Sequence, residues 1–562
     1  MKIFNFRYKS IGQILIVILF FSTMPAKSLD KFNNADKISD YFSGILLLGD
    51  NKYEDSLKYL SRLKGLETSH ENYSIKYLYS LINSGNFKEA FNYSKRLEKQ
   101  EFDSYESLII LGTYHLKNSN VELAQNYFKK AKNSNSKFVL NQYISDSLYN
   151  WSNLSDLNQA TSALNRLDSR FENLKKIQNV FLNCYFGSKY TSDLFNEITL
   201  NQKIDFSRYN YFYASYVAST GDLNKAEKII NSALEFYPRN LLLNQYKIDL
   251  KKNKNILAFN CKKKQHVIAE ILYVTANALS SQSIYPLSNF YLNLAKYLNA
   301  DFHSYNTLLA ENFYKINNFI EAKKTYNLLS KYGEAYNWYS SKQLAKIYIQ
   351  DEKKSEALKL LGKSYNSLKN KEIYEIYDYA EFLKNNEKFL DSIPLYTKII
   401  DQIDKKHPLY PEATDGRGVA YERVGEWNKA EKDLLASLEA NPEQAYVINY
   451  LAYSWIEQGI KIKKSLSMLE KANRLRSNDP YITDSLGWAL FKLKRYKEAK
   501  EYLELALRLL PADPIVNDHY GDVLWKNGNE IQARYYWNYV LNLEKAEKDL
   551  KEKIEKKIIK GL

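Results

Sequence analysis

The sequence predicts an all-α fold, a solenoid in which pairs of helices repeat along the chain. A chain of 562 residues is too long for one hydrophobic core, whereas in a repeat array each unit packs only on its neighbours. The chain has only 18 Gly and 10 Pro, although β-sandwiches and barrels need turn residues often. Small residues also recur near the carboxyl end, with spacings of 34, 35 and 34 residues, at Gly418, Ala452, Gly487 and Gly521.

The amino terminus is predicted to be an export signal. Residues 1–28 combine a basic start, an apolar run from Ile11 to Phe21, and small residues at Ala26 and Ser28, which are the three parts of a secretory signal. We expect cleavage after Ser28 and an exported, periplasmic protein. The alternative is that the same segment stays uncleaved and anchors the protein to the inner membrane.

One repeat shows the pattern of side-chain sizes clearly. Gly487 is followed by Ala499, Leu503, Ala506 and Pro511. The small Gly487 and Ala499 let two helices approach closely, and Leu503 fills the space around that contact. Pro511 then ends the second helix. Any amphipathic helix has a periodic apolar face, so the recurrence of small, large and Pro positions is the more specific signal.

This order of residues resembles the tetratricopeptide repeat, a helix pair of about 34 residues. The resemblance implies a right-handed superhelix of tetratricopeptide-type helix pairs, with the first helix of each pair, helix A, lining the concave side. The segments Asn449–Tyr453 and Asp484–Trp488 also look like those of exported proteobacterial tetratricopeptide proteins of unassigned role. The resemblance therefore implies a fold and a location, and it says less about function.

The repeat marks differ in clarity along the chain. Well-formed repeats are predicted for 411–545 and divergent ones for 29–410. The marks are weakest in 139–206 and 241–302, where we expect irregular helical repeats of unassigned role. Residues 546–562 mix Glu and Lys with apolar residues and are predicted to form a charged helix that caps the last repeat.

The resemblance also implies a partner-binding groove, because fixed positions of helix A face the concave side in this family. These positions select aromatic, acidic and amide residues in the last repeats, namely Tyr446, Asn449, Tyr453, Tyr481, Asp484, Trp488, Asp518, Asp522 and Trp525. Aromatic side chains anchor interfaces, and the carboxylates could accept bonds from a protein or peptide segment. The other interpretation is that the tryptophans pack between helices and the aspartates brace the following turns.

The acidic groove residues also bear on the kind of partner. The clamp by which the family holds chaperone tails needs Lys and Asn at these positions. This chain has Asp there, so that class of partner is disfavoured.

The charge of the chain suggests an alternative function. The formal net charge is +15, and removing the four basic residues of the signal leaves 15 − 4 = +11. The charge is diffuse and poor in arginine, so no nucleic-acid partner is expected. A basic stretch could contact an anionic envelope polymer or membrane surface, or could be a solvated loop; it comprises Lys251, Lys252, Lys254, Lys262, Lys263 and Lys264.

No catalytic pattern is found in the sequence. The six histidines are scattered, and the HExxH, GxSxG, Walker and GxGxxG motifs are missing. The sequence therefore predicts a non-enzymatic scaffold without cofactor or metal. Cys184 and Cys261 are far apart in sequence, and we expect two buried or partly buried free thiols.

Overall fold

A computed structural model of the chain describes residues 35–68, 70–134, 138–200, 205–252 and 258–562. Over these ranges the chain forms helices and contains no β-strand. The prediction of an all-α fold built from helix pairs is confirmed. The predicted signal, residues 1–28, lies outside the described ranges. Among the described helices, none is both long and apolar enough to cross a membrane.

The chain divides into two compact units, the first ending at Ser364 and the second beginning at Tyr365. The helices of the first unit are α1 (Ala35–Gly49), α2 (Tyr53–Leu60), α3 (Glu71–Asn83), α4 (Phe87–Lys99), α5 (Tyr105–Lys117), α6 (Val121–Asn133), α7 (Val139–Ser152), α8 (Leu157–Asn165), α9 (Glu172–Phe186), α10 (Thr191–Thr199), α11 (Tyr209–Ser219), α12 (Leu223–Phe236), α13 (Leu241–Lys251), α14 (Lys264–Ser281), α15 (Tyr285–Leu298), α16 (Ser304–Lys315), α17 (Phe319–Leu329) and α18 (Glu334–Gln350).

Helix α19 (Lys354–Ser367) crosses the division. The second unit continues with α20 (Ile373–Asn385), α21 (Phe389–Ile400), α22 (Leu409–Arg423), α23 (Trp427–Ala440), α24 (Ala445–Glu457), α25 (Ile462–Leu475), α26 (Pro480–Lys492), α27 (Tyr496–Leu509), α28 (Pro514–Lys526), α29 (Glu530–Leu541) and α30 (Lys548–Lys560).

Close helix contacts in the second unit depend on the small residues of the repeat. A Cβ added to Gly487 of α26 would lie 2.6 Å from Leu503 Cγ of α27. At the equivalent Gly521 of α28, the added atom would meet the indole of Trp537. Since real Cβ atoms are not found this close to a neighbour, glycine permits the contact on which each helix pair is built.

Helices α26 and α28 begin in the same way. Asp479 accepts hydrogen bonds from the backbone amides of Tyr481 and Ile482, both at 3.1 Å. Asp513 likewise accepts from the amides of Ile515 and Val516. In both helices the next residue is proline, which has no amide hydrogen to leave unpaired. This cap fixes where helix A starts and therefore which side chains it presents.

In the first unit the chain folds back on itself. Helices α14 and α15 form a pair, and α15 packs against α3 and α5 of the amino-terminal repeats. Asn289 donates to the hydroxyl of Tyr53 at 3.1 Å, and Asn293 donates to Asn83 Oδ1 at 3.3 Å. The irregular segment 241–302 is thus helical in its described part, and α15 covers the helix-A side of the first repeats.

A disulfide joins Cys184 of α9 to Cys261, with 6.0 Å between their Cα atoms. The prediction of two free thiols was therefore wrong. The cysteines are separated by 77 residues in sequence, but α9 packs against α14, and Cys261 lies just before α14 begins. The spacing of the two cysteines in the sequence does not indicate this contact between distant repeats.

Candidate functional site

Two tyrosines predicted for the groove lie on the surface of the second unit. Tyr446 of α24 is 50% exposed and Tyr481 of α26 is 56% exposed. The Tyr446 hydroxyl donates to Asp479 Oδ2 at 2.9 Å, and the guanidinium of Arg476 lies 4.6 Å from its ring centre. The Tyr446 side chain is therefore held in place by the next repeat while its ring remains partly open.

Ile515 continues this row of exposed side chains and was missed by sequence reasoning. It is the second residue of α28, as Tyr446 and Tyr481 are of α24 and α26, and it is also exposed. The spacing of one repeat from Tyr481 to Ile515 was the signal that could have found it, because both residues hold the same position in their helices. The three residues give helix A of successive repeats an exposed apolar edge.

A buried polar cluster lies farther along α26 and α28. Asp484 is nearly inaccessible, and its Oδ2 lies 2.8 Å from Nδ1 of His519. The imidazole stacks on Trp488 with ring centres 3.9 Å apart. The indole nitrogen of Trp488 donates to Glu457 Oε1 at 2.7 Å. Trp488 and Asp484 are thus packed between neighbouring helices rather than open to solvent.

His519 was also missed, because sequence reasoning treated it as one of several scattered histidines. Burial would lower its pKa, but the negative charge of Asp484, with those of Asp518 and Asp522, outweighs burial and raises the pKa. The protonated imidazole is therefore favoured beside the Asp484 carboxylate. A spacing of one repeat between Asp484 and His519 was the available signal.

Two acceptor oxygens of the predicted groove are left without a partner. Asn449 Oδ1 and Asp484 Oδ1 are buried and accept no hydrogen bond within the described ranges. Between these helices Tyr453 is half-buried, and burial raises the pKa of its hydroxyl far above the ordinary range. The hydroxyl therefore stays protonated. A buried acceptor without a donor is costly, so these two oxygens reduce the stability of this part of the fold.

The remaining predicted residues are covered by the end of the chain. Lys557 of α30 donates to Asp518 Oδ1 at 2.6 Å and to both carboxylate oxygens of Asp522 at 2.8 Å. Asp522 also accepts from the indole of Trp537 at 3.0 Å. Burial and the charge of Asp518 raise the pKa of Asp522 to about 6 despite Lys557. Asp518 and Asp522 thus fasten α30 to α28.

Trp525 is half-buried in the same region, where the guanidinium of Arg534 lies 4.5 Å from its ring centre and Gly561 packs against its indole. The structure therefore separates the nine predicted residues into an exposed edge, a buried cluster and a group covered by α30. Their role in binding a partner stays a prediction.

The basic stretch does not present one uniform surface. Lys254 lies outside the described ranges, and Lys252 lies 3.7 Å from Glu334. Lys264 donates to the backbone oxygen of Ser152 at 3.3 Å, and burial lowers its pKa. Lys251, Lys262 and Lys263 are exposed. Some lysines of the stretch therefore face solvent, whereas others contact neighbouring helices.

The pair α26–α27 is also where the chain matches a known family. The sequence model of the tetratricopeptide repeat matches residues 483–513, within the segment whose small and large residues build the helix contact at Gly487. The chain is a tetratricopeptide repeat protein. Such proteins are typically scaffolds without enzymatic activity and bind protein or peptide partners.

Relatives of this tetratricopeptide repeat protein share only part of its length. A TPR repeat-containing protein of Pseudomonas aeruginosa is 26% identical over 126 residues, which are 22% of this chain and 20% of that protein. The match thus spans about a fifth of the relative's length.

Two solved structures are also similar in part. A MamA structure from Desulfovibrio magneticus RS-1 is 14% identical, with 32% of this chain and 99% of that chain covered and a TM-score of 0.28. The structure of YrrB, described as a TPR protein with an unusual peptide-binding site, is 16% identical. The match covers 33% of this chain and 92% of the YrrB chain, with a TM-score of 0.27.

Proposed function

We propose that this chain is a non-enzymatic scaffold of the cell envelope that binds a protein or peptide segment along helix A of successive repeats in its second unit. The observation that carries the proposal is the arrangement on α24 and α26. Each helix presents an exposed tyrosine, Tyr446 or Tyr481. Aromatic contact area on successive repeats favours an extended or helical segment.

The exposed side chains of these helices limit the chemistry of the partner. Asp518 and Asp522 are already paired with Lys557, and Asp484 lies against His519. We therefore expect the partner segment to bring apolar or aromatic side chains that pack against Tyr446 and Tyr481.

Export is supported by the disulfide as well as by the predicted signal. Disulfides persist in the periplasm and other oxidising compartments and are rare where thiols are kept reduced. The pair Cys184–Cys261 fits a protein that folds after export. Cleavage after Ser28 would release it into the periplasm, whereas retention of residues 1–28 would hold it at the inner membrane.

The test is capture of a partner from envelope extract by the chain beginning at Leu29. Tyr446→Ala with Tyr481→Ala removes two exposed rings from helix A, so folding should survive while capture is lost. A matched control removes Ile531 and Tyr535, which are 85% and 67% exposed on α29, the second helix of its pair. Equal capture by the two double variants would contradict the proposal.

Ionic strength distinguishes groove binding from the alternative, which is binding of an anionic polymer or membrane surface. Binding of a polymer or membrane surface through lysines should weaken steeply as salt is raised, whereas groove binding through aromatic contacts should weaken less. Capture that survives moderate salt but is lost on removal of Tyr446 and Tyr481 supports the groove. Capture that is lost at moderate salt but is unchanged by substitution of both tyrosines supports the alternative.

A further inference from the structure

The first unit contains a pocket that none of the predicted groove residues forms. Its volume is about 470 Å³, which lies in the range of about 300–1,000 Å³ typical of small-ligand sites. Side chains of α9, α11, α13, α14, α16 and α18 line it, together with the segment that precedes α11. A pocket of this size takes a small molecule or a single side chain rather than a folded partner.

One wall holds an arginine whose charge is already compensated. Arg208 donates from Nε and Nη2 to the two carboxylate oxygens of Glu270 at 2.7 and 2.9 Å, and from Nη1 to Ser304 at 2.7 Å. Glu270 is completely buried, and the guanidinium lies 3.8 Å from the ring centre of Tyr273. An anionic ligand approaching Arg208 would also meet the charge of Glu270, so this arginine does not make the pocket an anion site.

The other charged side chains of the lining are carboxylates without a cationic partner. Glu311 of α16 accepts a hydrogen bond from the hydroxyl of Tyr339 at 2.5 Å. Asp205 accepts from the backbone amide of Ser207. Within the described part of the chain, no lysine or arginine forms an ion pair with either carboxylate, and no lysine lines the pocket. The chain has 80 Lys and Arg against 65 Asp and Glu, so this local acidity is unusual for the protein.

We infer that this pocket binds an organic cation, an ammonium or guanidinium group carried on a short apolar chain. The Glu311 carboxylate would pair with the cation in a charge-assisted hydrogen bond. Tyr336 and Phe206 line the walls, and aromatic rings attract cations while covering an alkyl chain. The same chemistry is offered by a free diamine and by the lysine side chain of a peptide.

Calorimetric titration of the oxidised chain beginning at Leu29 tests the inference. The probes are 1,5-diaminopentane and N-acetyl-lysine methylamide, with 1,5-pentanediol and glutarate as neutral and anionic compounds of the same length. We expect saturable binding of an ammonium probe only. Binding of the diamine alone indicates a free amine as the natural ligand, whereas binding of the lysine amide indicates a peptide side chain. Equal binding of pentanediol or glutarate, or no binding of any probe, overturns the inference.

Two variants locate the binding. Glu311→Gln keeps an acceptor for Tyr339 and removes the charge, so affinity should fall by about tenfold or more. The control Glu235→Gln removes an exposed carboxylate from α12 and should leave affinity unchanged. Asn277→Trp, at an exposed lining position of α14, should block entry without disturbing the helix packing. Unchanged affinity in Glu311→Gln would overturn the inference, and substitution of Tyr446 and Tyr481 in the second unit should not affect probe binding.

Discussion

The imidazole Nδ1 of His519 lies 2.8 Å from Asp484 Oδ2. This bond joins helix A of the last repeat to helix A of the repeat before it, and both side chains are buried. The pair therefore couples two repeats through a charge that depends on pH. One Asp484 oxygen thus braces the fold, while the other, Oδ1, accepts no hydrogen bond from any residue that the structure describes.

The first prediction concerns this pH dependence. In the folded protein the pKa of His519 is raised above its ordinary value of 6.5. The protonated imidazole therefore stabilises the fold below about pH 6.5, and this stabilisation is lost as pH rises through the folded-state pKa. His519 faces Asp484, Asp518 and Asp522, with Trp488 and Tyr453 beside it. Urea unfolding should show that His519→Gln costs more free energy at about pH 6.5 than at about pH 8.5. An equal cost at both values would show that the imidazole acts only by packing.

The second prediction concerns the fastening of α30. Lys557→Met leaves Asp518 and Asp522 buried without their cation, and breaking a buried pair in this way should lower the free energy of unfolding by about 3 kcal/mol. The loss can be followed by tryptophan fluorescence, because Trp537 is bonded to Asp522. The neighbouring Lys556 is exposed, and Lys556→Met should have little effect. Similar losses in the two variants would mean that α30 is not held by these carboxylates.

The third prediction concerns the disulfide. Cross-linking residues 77 apart restricts the unfolded chain, and for a loop of this length the stabilisation is about 4 kcal/mol. Cys184→Ser with Cys261→Ser should therefore lower the melting temperature of the first unit, and a reducing agent should lower that of the parent protein but not of the variant. Free thiols that titrate in the native, unreduced protein would contradict the disulfide.

The fourth prediction concerns the small residues at helix contacts. An alanine Cβ at Gly112 would lie 2.3 Å from the ring of Phe128, so Gly112→Ala should destabilise the first unit by about 1–3 kcal/mol through overpacking. At Gly49, the last residue of α1, an added Cβ meets no atom within 4 Å. Gly49→Ala should be neutral or slightly stabilising in the same thermal unfolding experiment. A neutral Gly112→Ala would show that Phe128 moves aside at little cost.

The sequence was sufficient for the features that repeat locally. Gly487 meets Leu503 in the structure as their order predicted, because the period itself places them at one helix contact. The disulfide and the packing of α15 on α3 could not be predicted in this way, since they join repeats that are distant in sequence. The repeat period predicts contacts between adjacent repeats, and it carries no information about contacts between repeats that are distant in sequence.

The candidate site was predictable to a similar extent. Tyr446 and Tyr481, which the family positions selected, are exposed. Those positions could not distinguish a carboxylate that faces solvent from one that is already paired. Asp518 and Asp522 look the same in sequence as free groove residues. Only the placement of Lys557 by the terminal helix shows that their charge is used within the chain.

The return of α15 to the first repeats sets the order in which the first unit can be completed. In a linear array a repeat is finished once the next one has been made. Here the Tyr53 hydroxyl meets its partner Asn289 only 236 residues later, so the earliest helices wait, with one side uncovered, for most of the unit to be synthesised. Losing or duplicating a single repeat in between would move Asn289 and Asn293 out of register with Tyr53 and Asn83. The number of repeats between them is therefore fixed, whereas an open solenoid can change its repeat number freely.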